Sequence, residues 1–147
     1  MAQTTWTGPL ASGDKNAGVS GGPNIGLALL SQTVLINFDA TLVQNGTVYL
    51  PYDSQIVDIL VDVLTQYNSA TSATLTIGTA SAGTTYASGV NAKTAARTLP
   101  TFTAAQLTAM ADTGTNGAVV ATVTSVGQPT AGQVRVTYRY VQTIAQD

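Results

Sequence analysis

Polar and apolar positions alternate most clearly between Tyr49 and Gly78, in two runs, Gln55–Tyr67 and Ala73–Ile77, joined by Asn-Ser-Ala-Thr-Ser. The first run fits two periods. Ile56, Ile59, Leu60, Val63, Leu64 and Tyr67 recur at helical spacing, whereas Val57, Ile59, Val61 and Val63 form an unbroken alternate set. Its wealth of Val and Ile, after a proline corner at Pro51, favours a strand with Val57, Ile59, Val61 and Val63 facing inward. The second run sets Ala73, Leu75 and Ile77 against Thr74 and Thr76, the pattern of a half-buried strand. Together they predict a hairpin at the heart of a sheet.

The same alternation recurs on both sides. Ser31–Asp39 places Val34, Ile36 and Phe38 on one face. Asn45-Gly46 has the composition of a type I′ turn, with Thr47–Leu50 as the returning strand. Residues 79–101 lack periodicity and predict a surface loop or short edge strands. Thr103–Met110 is the one helix expected, with Thr103 as cap and Gln106 at capping-box spacing. Asn116-Gly117 then opens a strand over Ala118–Val126. A Gly127–Gly132 turn leads to Gln133–Gln142, whose Val134, Val136, Tyr138 and Tyr140 share a face. Short strands, frequent turns and one short helix predict an all-β fold, an antiparallel β-sandwich occupying residues 31–147. Residues 1–30 are glycine-rich and aperiodic, and are read as an extended N-terminal arm.

Composition narrows the function. Charged residues make up 8% of the 147, there is no glutamate, and 25 threonines and 21 alanines fill the places that charge usually takes. Such a surface is desolvated cheaply against a neighbour, because few ions must leave water. Five basic residues and a net charge of −2 argue against nucleic acid as a partner. The absence of cysteine and histidine removes thiolate chemistry, imidazole bases and His- or Cys-ligated metals. No apolar stretch has the length of a membrane span, and the start MAQTTWTGPL has no basic region followed by an apolar run.

No catalytic, cofactor or metal site is expected. Asp58 and Asp62 would share a strand face about 13 Å apart, wider than the roughly 5–9.5 Å of glycosidase pairs, and are read as solvated. The glycines of residues 18–26 are not followed by Gly-Lys-Ser/Thr, and Ser-Lys chemistry would need Lys15 or Lys93, neither near a nucleophile motif. Asn45-Gly-Thr47 matches a glycosylation sequon, but the expected turn accounts for the same residues. Partner-binding candidates are Trp6, Pro9 and Leu10 in the arm, and Arg135 and Arg139 on the outer face of the last strand. Trp6 either folds back on its own domain or anchors the arm on a partner. The two arginines either lie on an ordinary solvated face or meet an acidic patch on a neighbouring subunit.

The string LPYDSQIVDILVDVLTQYNSATSATLTIGTASAGTTYASGV, continued by FTAAQLTAM and VRVTYRYVQ, resembles the head decoration (cement) proteins of tailed bacteriophages over most of residues 31–142. The resemblance implies a jelly-roll-like sandwich acting as a homotrimer, bound to the major capsid protein on the exterior of a virion assembled in the bacterial cytoplasm. The alternatives are a carbohydrate- or receptor-binding module of a phage fibre, with Tyr52, Tyr67, Tyr86 and Trp6 as its aromatic candidates, or a minor capsid or tail subunit.

Overall fold

The structure is a computed structural model that describes residues 11–13, 25–115 and 117–142. It is a sandwich of two four-stranded antiparallel sheets with one short helix. The first sheet has the order β3 (Leu30–Asn37), β10 (Gln133–Gln142), β5 (Ser54–Thr65), β8 (Arg97–Thr98). The second has the order β4 (Val43–Tyr49), β9 (Ala118–Val126), β6 (Ser72–Gly78), β7 (Ala87–Asn91). Two further strands, β1 (Ala11–Gly13) and β2 (Ile25–Leu27), pair antiparallel with each other in a ribbon of their own. Trp6, Pro9 and Leu10 lie outside the described residues.

The alternating apolar positions meet between the sheets. Ile59, Val61 and Val63 of β5, with Val134, Val136 and Tyr138 of β10, face Leu75 and Ile77 of β6 and Val119, Ala121 and Val123 of β9. All are buried. At the transfer value of about 1.5–3 kcal/mol per large apolar side chain, this layer is the main favourable contribution to folding.

The hairpin expected between residues 55 and 77 is absent. β5 pairs with β10 and β8, whereas β6 pairs with β9 and β7, so the two runs face each other across the core. Alternation shows that a strand has an apolar face, but not whether its sequence neighbour lies beside it or opposite it. The connection decides. Tyr67 is wholly buried and donates its backbone N–H to the Ala92 carbonyl. Its ring lies against Gly132, where an added Cβ would stand 2.5 Å from Tyr67 Cγ. Lys93 Nζ donates to the carbonyl oxygens of Ser69 (2.7 Å) and Thr71 (3.3 Å), tying down the crossing.

Asn45-Gly46 is likewise mid-strand. β3 and β4 belong to different sheets and form no hairpin. A Cβ on Gly46 would stand 2.7 Å from Val34 Cγ2 and 2.8 Å from Ile36 Cγ1, so the glycine lets the sheets approach rather than the chain turn. Asn45 Oδ1 accepts from Thr122 Oγ1 (2.8 Å) and Ser81 Oγ (3.0 Å).

The inward set on β5 is also shifted. Ile56, Ile59, Val61 and Val63 are buried, but Val57 is 50% exposed. The ladder with β10 steps from Arg139↔Asp58 to Tyr140↔Ile56, so Val57 is the extra residue of a β-bulge. Phe38, expected on the inner face with Val34 and Ile36, lies beyond the end of β3 and is 37% exposed, whereas the expected edge strands and helix match the structure. Residues 79–101 contribute the short edge strands β7 and β8. The helix α1 spans Ala104–Ala111 with a complete capping box between Thr103 and Gln106. Gln106 Nε2 also donates to the Thr84 carbonyl (3.2 Å), fastening the helix to the 79–86 loop.

Candidate interaction surfaces

Among the described residues, five of the nine charged side chains stand on the outer face of the first sheet. Register sets Arg135 of β10 beside Asp62 of β5, and Asp62 beside Arg97 of β8. Arg97 Nε donates to Asp62 Oδ1 (2.6 Å) and Nη2 to Oδ2 (3.2 Å), while Arg135 Nη2 donates to Oδ2 (2.7 Å). The bonds from Arg97 and Arg135 hold the Asp62 carboxyl down to about 2, against the desolvation that would raise it. Asp62 is therefore not the solvated residue expected: it is 7% exposed, covered by the two arginines. Four residues along each strand, Arg139 Nη1 stands 4.0 Å from Asp58 Oδ2. The arginines singled out in the sequence thus share one face, and each meets a carboxylate of its own chain across the sheet. Their guanidinium groups remain about half in water, where exposed pairs contribute little.

The outer face of the second sheet is of another kind. Asn45 and Thr47 of β4, Val120, Thr122 and Thr124 of β9, and Thr74 and Thr76 of β6 stand in adjacent register without a charged residue. Thr122 is completely buried there, because Ser81 and Ala82 fold over it and the Ala82 N–H donates to its hydroxyl (2.9 Å).

The stretch that holds the edge strands β3 and β4 is rich in exposed apolar side chains, Leu35 on the outer face of the first sheet beside Arg135 and Val43 and Tyr49 on that of the second. Six of the twelve large apolar side chains exposed among the described residues fall between Leu29 and Tyr49: Leu29, Leu35, Phe38, Leu42, Val43 and Tyr49. Sequence reasoning missed this concentration. Its signal was Leu35 standing among Thr33 and Asn37 on the nominally polar side of β3. Of the aromatic candidates for a glycan platform, Tyr67 and Tyr86 belong to the core, and burial raises both hydroxyl pKa values, Tyr67 to about 12. Tyr52 is exposed, and so is Tyr49.

Among the described residues no His, Cys, Asp or Glu group is placed to hold a metal ion, and no helix is long and apolar enough to cross a membrane. Comparisons with family models, with curated proteins and with solved structures find no match.

Proposed function

We propose that this chain is a structural virion protein that decorates the exterior of a phage capsid, binding the major capsid protein as a homotrimer without catalytic activity. The observation that carries the reading is the surface. The outer face of the second sheet lacks charge, and the stretch from Leu29 to Tyr49, whose one charged residue is Asp39, exposes six large apolar residues, a concentration of apolar surface of the kind that marks contact sites. Two sheets of four, with most connections passing between them, support the jelly-roll reading, an architecture used by capsid domains and lectins alike. The resemblance of residues 31–142 to cement proteins inclines the choice to capsids. Burial of Tyr67 and Tyr86 removes half of the aromatic set on which a fibre-borne glycan module would rest.

The mechanism is avidity. One domain offers a small footprint, but a trimer engages several capsid subunits at once. Each later contact is intramolecular and multiplies affinity by about 10²–10⁴. Bound decoration protein then stabilises the assembled shell by mass action. The arm adds reach, with Trp6, Pro9 and Leu10 as apolar anchors that order on the capsid. Arg135 and Arg139 supply a secondary polar contact.

Co-sedimentation with undecorated capsid shells tests this. The intact protein should pellet with the shells. Deletion of residues 2–24 should weaken binding at least tenfold while the body keeps its melting temperature, and Trp6→Ala should reproduce much of that loss. Intact protein that stays in the supernatant while binding a glycan array would establish the fibre reading instead.

A further inference from the structure

Each sheet of an open sandwich ends in two strands that pair on one side only, and such edges invite pairing unless they are guarded. On one side of this sandwich they are guarded. β7 carries Gly89 at φ 76° and breaks register with β6 between Leu75 and Ile77. β8 is two residues long, and one of them is Arg97. The opposite edges have no such protection. β3 is eight residues long and β4 seven, neither contains a charge or a proline, and both hold continuous register with their inner neighbours. They lie over each other, as the approach of Val34 and Ile36 to Gly46 shows, and they expose Leu35 on the outer side of β3 and Val43 and Tyr49 on the outer side of β4.

The same chain has a ribbon without a sheet to lie on. β1 and β2 pair with each other and with neither four-stranded sheet. Two strands of three residues are marginal in water on their own. Only Ala28 and Leu29 separate β2 from β3. A link of two residues returns a strand along its neighbour through a primed turn, which needs a residue at positive φ. Apart from glycines, Asp53 and Ala82 are the positive-φ positions among the described residues, so Ala28 and Leu29 do not form one. The ribbon of a chain does not close that chain's own β3 edge.

We infer that the β1–β2 ribbon of one copy adds to the open β3–β4 side of the next, strand to edge, so that copies assemble head to tail through exchanged ribbons. The inference rests on the oligomeric part of the function proposed above and names the contact that builds the oligomer. Backbone hydrogen bonds along the edge supply affinity, and Leu35 and Val43 supply apolar cover. Since the edge strands bear no charge, closing the contact strips no ion of water. A head-to-tail contact of this kind closes into a ring when the rotation per copy allows it.

The test uses two complementary variants. One lacks residues 2–27 and keeps both edges. The other keeps the ribbon and carries Leu35→Lys and Val43→Lys, two exposed positions on the edge strands. Melts by circular dichroism should show both bodies folded within a few degrees of the intact chain. Sedimentation equilibrium should find each variant monomeric alone, and an equal mixture should form a one-to-one complex, because each copy supplies what the other lacks. An intact chain that is monomeric at micromolar concentration overturns the exchange, as does either variant keeping the intact oligomer. A mixture that stays monomeric overturns the ribbon as the occupant. Should the lysine pair compromise folding, Thr33→Lys with Thr47→Lys places the same guard at exposed polar positions on the same strands. Capsid co-sedimentation of the intact chain is read separately. An oligomer that exchanges ribbons yet ignores capsids would refute the decoration role and leave the exchange standing.

Discussion

Asp62 illustrates how one residue departs from its sequence context. Its neighbours Val61 and Val63 point into the core, so alternation sends it outward to solvent, yet Arg97 and Arg135 close over it. Its carboxyl titrates at about 2 in the folded chain, against about 3.9 in an unfolded one. A depressed carboxylate stabilises the fold above the unfolded value and loses that contribution as pH falls through the folded one. The intact chain should therefore lose stability between about pH 4 and pH 2. Asp62→Asn should lose less over that window while being less stable at pH 7. The neutral-pH cost should be about 1 kcal/mol, since both arginines stay partly in water, or a fall in melting temperature of about 2–4 °C. Urea melts of both proteins at pH 7, 4 and 2.5 measure it. A variant as stable as the intact chain at pH 7 would show that the pair contributes nothing.

Within the elements, β5 carries the sharpest contrast. Val57 and Val61 are both valines of the alternate set, but the bulge opposite Arg139 and Tyr140 turns the first outward. Val61→Asp buries a carboxylate without a partner and should prevent folding. Val57→Asp, at a half-exposed position, should shift stability by about 0.5 kcal/mol or less. Circular dichroism of the two variants decides it, and equal effects would place the bulge elsewhere. The helix shows the opposite case, a feature whose local chemistry suffices. Thr103 Oγ1 accepts from the Gln106 N–H and Gln106 Oε1 from the Thr103 N–H, a motif complete within four residues.

For the whole molecule the scarcity of charge matters most. Among the described residues, five of the nine charged groups pair on the outer face of the β3–β10–β5–β8 sheet, while strands β3 and β4 and the second sheet's face present hydroxyls, amides and apolar carbon. If those surfaces bind the capsid as proposed, the contact is driven by apolar burial rather than by long-range attraction. Capsid affinity should therefore change by less than about threefold between 50 and 500 mM salt, whereas contacts between exposed charges would be largely screened over that range. Titration calorimetry at several temperatures should also give a negative heat-capacity change, the mark of apolar burial. A steep loss with salt would move the contact to Arg97, Arg135 and Arg139.

What the sequence determined by itself is whatever rests on near neighbours along the chain. Alternation marked the long strands β3, β5, β6 and β10, and the apolar faces of β6 and β10. A four-residue motif marked the helix. Composition announced a surface with little charge. The tertiary structure decided what depends on residues far apart. The hairpin expected between residues 55 and 77 became a crossing from sheet to sheet because Tyr67 is held by Ala92 and Gly132. Asn45-Gly46 became mid-strand because Val34 and Ile36 occupy the space a side chain would need. The carboxylate of Asp62 became buried because strands 35 and 73 residues away in sequence bring their arginines to it. Period-2 patterning tells which side of a strand avoids water, and that is a local property. Which strand lies beside it, and which edge is left unguarded, is settled only when both sheets close over one core.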